Sequence, residues 1–196
     1  MKNNILCTLS KQEQLLLEVK SLNRGEFLFR EGEICTKIAI VVSGQVKIAS
    51  MHYSGSEVIF NTIEKSEMFG NNLIFSDEPS YKGDVIALKD STIVLIKKEN
   101  LETILRSNKE FLVSYLNIQS NFGKKLNSTI KMLSFSSAEE RFLFYLHENK
   151  GTINYHSVAD LADILHLKRE TLSRLLTNLE KENVIQRSPH KIVKLN

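Results

Sequence analysis

Apolar residues fall into two textures along the chain. Between Gly25 and about Lys98, short β-branched and aromatic runs recur: Phe27–Phe29, Ile38–Val42, Gln45–Ala49, Glu57–Asn61, Val85–Leu88 and Thr92–Ile96. They are separated at Gly25, Gly32, Ser43-Gly44, Ser54-Gly55, Gly70 and Lys89-Asp90. Many short strands with regular turn signals predict a sandwich or jelly-roll barrel. Tyr53-Ser54-Gly55-Ser56 predicts a hairpin tip. Elsewhere the apolar spacing is helical. Residues 1 to about 23 predict a helical lead-in, with Ser10 capping a helix that carries Leu15, Leu16 and Val19. From Ser107 to Leu133, the series Phe111, Leu112, Tyr115, Ile118, Phe122, Leu126, Ile130 and Leu133 predicts one long helix. Gly123 interrupts it at a cost of about 1 kcal/mol relative to Ala. So long a stripe suits a dimer seam, a packing face against the strand region, or both in part. Ser134-Phe135-Ser136-Ser137 ends the helix, and Ser137 with Glu140 forms a capping box for the next one.

The last third of the chain carries the densest signal. Ser157 is a helix N-cap, and Val158, Leu161, Ala162 and Leu165 then share one helical face. His166-Leu167 breaks the pattern. A second helix starts near Lys168 and runs to about Glu182, with Leu172, Leu175, Leu176 and Leu179 on its apolar face. Its other face is a single polar stripe of Arg169, Glu170, Ser173, Arg174, Thr177 and Lys181. Val184 to Leu195 reads as a hairpin turning at Ser188-Pro189-His190, and Thr152–Tyr155 as a short strand pairing with it. Helix, turn, helix and basic hairpin describe a winged helix-turn-helix.

The polar stripe has specific chemistry. Arginine grips a guanine edge with two parallel bonds, and glutamate accepts from a cytosine amino group. Serine serves a base or a phosphate. Such residues at the start of a second helix suit docking in the major groove. Arg187, Lys191 and Lys194 on the hairpin are placed to lie along phosphates. The competing reading is a solvated face with Glu170 and Arg174 paired at i, i+4.

RETLSRLLTNLEKENVI, preceded by LADILHLK, resembles the DNA-binding end of the CRP/FNR family of bacterial transcription regulators. The resemblance assigns DNA contact to Arg169, Glu170, Ser173 and Arg174, to which the polar stripe and the basic hairpin add Lys168, Thr177, Arg187 and Lys191 as expected contacts. His166 stands where the family usually has glycine, in a turn that can need φ > 0. Histidine tolerates that region at some cost. RGEFLFREGEICTKIAIVVSGQVKI is similar to the opening of the family's cyclic-nucleotide-binding-like β-roll, so the likeness spans nearly the whole chain. It implies an α+β fold with three parts: a jelly-roll sensor domain at 1–106, a dimerisation helix at 107–133 and a winged helix-turn-helix at 134–196. It also implies a homodimer through the Ser107–Leu133 helix, an inverted-repeat double-stranded DNA target with a TGA-like core in each half-site, and RNA polymerase as a partner.

The likeness fails where an effector would bind. Members that bind cyclic nucleotides have a Glu after the Phe-Gly pair and, further on, Arg followed by Thr or Ser. Here Phe69-Gly70 is followed by Asn71-Asn72, while Tyr81-Lys82 stands in place of the Arg pair. Tyrosine supplies no bidentate, permanently charged fork. Cyclic AMP is therefore disfavoured. Beside a cyclic-nucleotide, haem or thiol sensor, two alternatives stay open. One is a different small-molecule effector bounded by Phe69, Gly70, Asn71, Asn72, Tyr81 and Lys82, with Phe122, Leu126 and Asn127 of the long helix. The other is a vestigial pocket on a constitutive DNA-binding protein.

Composition narrows the remaining classes. The chain is 42% hydrophobic and 25% charged, which predicts a packed core. A net charge of +3 is compatible with a nucleic-acid partner without arguing for one. No apolar run approaches the roughly 18 residues of a membrane span, and the N-terminus lacks a signal-peptide core, so a cytoplasmic protein is expected. Cys7 and Cys35 are too few for an iron–sulfur cluster, which takes about four thiolates. Cys35, ahead of an apolar strand, reads as a buried thiol, and nothing near either cysteine argues for redox sensing. Haem is disfavoured because His52, His147, His156, His166 and His190 are scattered, and His52 reads as exposed. A metal-dependent barrel enzyme would need inward histidines and carboxylates, and the strands lack such a cluster. No catalytic residue and no metal ligand is assigned.

Overall fold

A computed structural model describes residues 5–53, 55 and 57–195. The chain forms two compact units, Met1–Asn121 and Phe122–Asn196.

The first unit is built on two antiparallel four-stranded sheets. One has the order β1 (Glu18–Leu22), β8 (Ser91–Lys97), β3 (Lys37–Ser43), β6 (Met68–Phe69). The other has the order β2 (Phe27–Phe29), β7 (Asp84–Ala87), β4 (Gln45–Met51), β5 (Glu57–Glu64). The continuous apolar runs Ile38–Val41 and Ile93–Ile96 form the central strands β3 and β8. Both are buried along most of their length, which is what an uninterrupted β-branched run encodes. β4 and β5 pair from Gln45↔Glu64 to Met51↔Glu57, as the hairpin signal requires. Of its predicted tip, Ser54 and Ser56 lie outside the described residues. His52 is exposed and Cys35 is buried, as expected.

One local expectation is corrected, and two elements were not foreseen. The helical lead-in is only a 3-10 turn at Ile5–Thr8 and one helical turn, α1 (Lys11–Gln14). Ser10 does cap α1, in a capping box with Glu13. Leu15 and Leu16 fall beyond α1, and Val19 lies in β1, because the alternating Glu18–Leu22 segment pairs with β8. The first unforeseen element is β6, too short to carry a period. The second is α2 (Lys98–Ser107), whose Leu101 and Ile104 are fully buried.

The long helix, α3, runs Lys109–Ser134, and the two units divide within it. Phe111 and Tyr115 join the first core. Farther along the predicted stripe, Phe122, Leu126, Ile130 and Leu133 are exposed, as are Val113 and Leu116 beside it.

The second unit contains α4 (Ala138–Glu148), β9 (Thr152–Asn154), α5 (Val158–Ile164), α6 (Arg169–Lys181), β10 (Ile185–Ser188) and β11 (Lys191–Lys194). Its sheet has the order β10-β11-β9, so the short strand does pair with the hairpin. Both halves of the Ser137–Glu140 capping box are present: Glu140 N–H donates to Ser137 Oγ at 3.0 Å, and Ser137 N–H donates to Glu140 Oε2 at 3.2 Å. Phe142, Leu146, Leu161, Leu165, Leu172, Leu176, Ile185 and Ile192 close one core beneath the paired helices.

Candidate nucleic-acid interface

The α5–α6 pair is set by its caps and its turn. Ser157 Oγ accepts from Asp160 N–H at 3.1 Å and starts α5. Leu161, Ala162 and Leu165 are buried against the α6 face formed by Leu172, Leu176 and Leu179. Between the helices, His166 adopts φ 52°, the left-handed conformation its position called for. The turn closes as Leu167 N–H donates to the Ala162 carbonyl at 2.9 Å.

Burying the leucine face of α6 turns its polar stripe to solvent. Lys168 is the N-cap residue, and Lys168, Arg169, Glu170, Ser173 and Arg174 are all exposed. Arg169, Glu170, Ser173 and Arg174 line one shallow surface depression. Among the described residues, the side chains of Arg169, Glu170 and Arg174 have no hydrogen-bond or ion-pair partner within the chain, so Glu170 and Arg174 do not form the alternative i, i+4 pair. The stripe is thus a row of uncommitted donors and acceptors. Thr177 differs: it is half-buried, and its hydroxyl donates back to the Ser173 carbonyl at 3.0 Å.

The hairpin residues separate. Lys191 is exposed. Arg187, expected along phosphates, is instead bound to Glu180 near the end of α6. Its Nε donates to Glu180 Oε2 at 2.8 Å, a second guanidinium nitrogen reaches the same oxygen, and its backbone N–H donates to Oε1 at 3.2 Å. The guanidinium and this bonding hold the Glu180 carboxyl below the usual carboxylate range. Glu180 escaped the sequence reading because its partner lies across a helix–strand turn, outside helical spacing. His190, in the hairpin turn at φ 60°, directs Nδ1 to the His156 carbonyl at 2.9 Å.

In the first unit, the predicted effector residues divide into two groups. Phe69, Gly70, Asn71 and Tyr81 are buried. Tyr81 stacks on Phe29 with ring centroids 4.4 Å apart, and its hydroxyl donates to the Lys37 carbonyl at 3.1 Å. Gly70 has φ 80°, and a Cβ there would stand 3.1 Å from the Lys37 carbonyl oxygen. The Asn71 carbonyl accepts from Gln119 Nε2 at 2.9 Å and from the Tyr115 hydroxyl at 3.2 Å, while Asn71 Nδ2 donates to Gln119 Oε1. Gln119 was missed, since one amide among the many polar residues of α3 carries no signal of its own. Asn72 and Lys82 point outward, and Lys82 Nζ donates to Ser80 Oγ at 3.0 Å. Phe122, Leu126 and Asn127 are exposed on α3. Burial raises the pKa of the Cys35 thiol, the opposite of what a reactive cysteine needs.

Residues 19–108 match the model of the cyclic nucleotide-binding domain, and residues 140–196 match that of the Crp-like helix-turn-helix domain. The anaerobic regulatory protein of Bacillus subtilis is 24% identical over 177 residues, covering 85% of this chain and 74% of that protein. The cyclic AMP receptor protein of Thermus thermophilus is 26% identical over 176 residues, covering 85% of this chain and 78% of that protein. The chain belongs to the CRP/FNR family of transcriptional regulators. Among solved structures, CprK complexed with OCPA superposes with a TM-score of 0.75 at 16% identity, over 95% of this chain and 88% of that one. This CRP/FNR regulator is a DNA-binding protein, and the exposed edge of α6 lies within its matched helix-turn-helix.

This regulator's β-roll lacks the carboxylate and the guanidinium with which the family's cyclic-nucleotide binders hold their ligand. The segment 69–83 contains no guanidinium to grip a cyclic phosphate. Asn71 and Tyr81, at the two positions where the family's binders carry Glu and Arg, are spent on bonds inside the chain. Among the described residues, no group of three or more His, Cys, Asp or Glu side chains is placed to hold a metal ion, and no helix is long and apolar enough to cross a membrane.

Proposed function

We propose that this CRP/FNR regulator acts in the cytoplasm as a homodimer that reads an inverted repeat in duplex DNA by placing α6 of each protomer in successive major grooves. The observation that carries this is the exposed, unpartnered row of Arg169, Glu170 and Arg174 on one edge of a helix whose opposite face is buried. Arg169 and Arg174 take guanine edges, and Glu170 takes a cytosine amino group. Ser173 and Lys168 take a base or a phosphate, Lys191 takes a phosphate, and Thr177 is a marginal contact because its donor is committed. The exposed apolar side chains of α3, from Val113 to Leu133, form the seam with the second protomer. RNA polymerase is the expected partner on the promoter.

We further propose control by a small molecule other than cyclic AMP. The missing guanidinium and the committed Asn71 and Tyr81 support that choice. Effector binding would shift the population of α3 arrangements and so the spacing of the two α6 helices. The test is operator affinity across a metabolite panel that includes cyclic AMP. Cyclic AMP should leave affinity unchanged while at least one other compound alters it. Activation by cyclic AMP alone would contradict the proposal.

A further inference from the structure

Glu180 and Arg187 lie on opposite sides of the turn between α6 and β10. One carboxylate holds both ends of Arg187: Oε1 takes the backbone N–H at 3.2 Å, and Oε2 takes Nε at 2.8 Å together with a second guanidinium nitrogen. β10 is the outer strand of its sheet, where Arg187 stands opposite Ile192 of β11. Outer strands carry backbone groups with no ladder partner, and here a helix side chain supplies an acceptor. Two nitrogens of the guanidinium fork are committed to that carboxylate. The same contact ties the strand that leads into the Ser188–His190 turn to the helix whose first turns carry Arg169, Glu170 and Arg174.

From this geometry we infer that Arg187 is a positioning residue, which with Glu180 fixes the hairpin on α6, and that it does not contact DNA phosphate. The inference rests on the DNA-reading role proposed above. A positioning residue and a phosphate contact behave differently with salt. Each phosphate contact contributes about −0.9 to the slope of log affinity against log salt and acts on every sequence alike. A positioning residue alters discrimination and leaves that slope alone.

The experiment uses the full-length protein and two duplexes: one selected by the wild-type chain from a random-sequence pool, the other a shuffled duplex of the same composition. Affinities are measured across a salt series. Arg187→Met should weaken the selected duplex by about tenfold, with the shuffled duplex and both slopes unchanged. Arg187→Lys, which keeps a cation on Glu180, should recover most of the loss. Glu180→Gln should also lose discrimination. By releasing the guanidinium, it should steepen the slope on the shuffled duplex by up to about one unit. If Arg187→Met does not fold, as judged by circular dichroism, the near-isosteric Glu180→Gln decides. The inference is overturned if Arg187→Met weakens both duplexes equally and flattens the slope by about 0.9, or if neither variant changes anything. A wild-type chain with no preference for any duplex would overturn the DNA-reading role itself, and the inference with it.

Discussion

Gln119 and Asn71 form a reciprocal amide pair: Gln119 Nε2 donates to the Asn71 carbonyl at 2.9 Å, and Asn71 Nδ2 donates back to Gln119 Oε1. The Tyr115 hydroxyl reaches the same carbonyl at 3.2 Å. Asn71 follows the Phe69-Gly70 turn at the end of β6, and Gln119 and Tyr115 are one turn apart on α3. The pair therefore fastens the first half of α3 to the β-roll by polar contacts. It does so at the position where family members that bind cyclic nucleotides present a ligand-binding Glu.

Asn71 is 5% exposed, so its amide and carbonyl have little access to water. Gln119→Ala strands the side-chain amide and leaves the carbonyl only the Tyr115 hydroxyl. Stranding a buried polar group costs about 1–3 kcal/mol. The urea midpoint of the variant should fall accordingly with the slope unchanged. An unchanged midpoint would mean that the pair is not formed in solution.

Burial pushes the Tyr115 hydroxyl up to about 12. The phenol is held neutral in the folded state and ionises near 10 once unfolded. Its contribution is therefore fully present below pH ~10 and is lost as pH rises through its folded value. Between those limits wild type should lose more stability than Tyr115→Phe does, as measured by denaturant midpoints at successive pH values. Parallel losses would show that the hydroxyl is freely solvated.

Arg174→Ala removes a guanidinium with no partner inside the chain. Folding stability should not change, since surface substitutions of this kind stay within about 0.5 kcal/mol. Affinity for the selected duplex should fall by about 1–3 kcal/mol, with specificity relaxed at one base pair per half-site. Thr177→Val should have a smaller effect, because the Thr177 hydroxyl already bonds the Ser173 carbonyl at 3.0 Å. Equal losses on selected and shuffled DNA would reassign Arg174 to a phosphate.

On α3, Leu116 is 53% exposed and Ile130 57% exposed. Large apolar side chains left open on one helix mark a protein interface. Leu116→Glu combined with Ile130→Glu should give a folded monomer in analytical ultracentrifugation, where wild type is expected to sediment as a dimer. If the double variant remains dimeric, the seam lies elsewhere.

The parts of this molecule visible in its sequence are those in which one segment carries its own period. The leucine faces of α5 and α6, the cap at Ser157, the box at Ser137–Glu140 and the buried runs of β3 and β8 each encode their structure locally. The family resemblance, which has glycine there, places His166 in a turn that can need φ > 0, and it adopts φ 52°. What escaped prediction depends on partners distant in the chain. Val19 sits in a strand because β8 pairs with it, and its own short segment reads equally well as a helix. Arg187 looked like a free cation until Glu180 folded against it. The Asn71–Gln119 pair joins residues 48 positions apart, and neither residue type signals such a contact.

The most direct measurement is the set of sequences that the wild-type chain enriches from a random duplex pool. Two inverted half-sites, each with a TGA-like core and with centres about 34 Å apart along the helix axis, are expected from a twofold pair of α6 helices. Enrichment of a single asymmetric site, or of none, would contradict it.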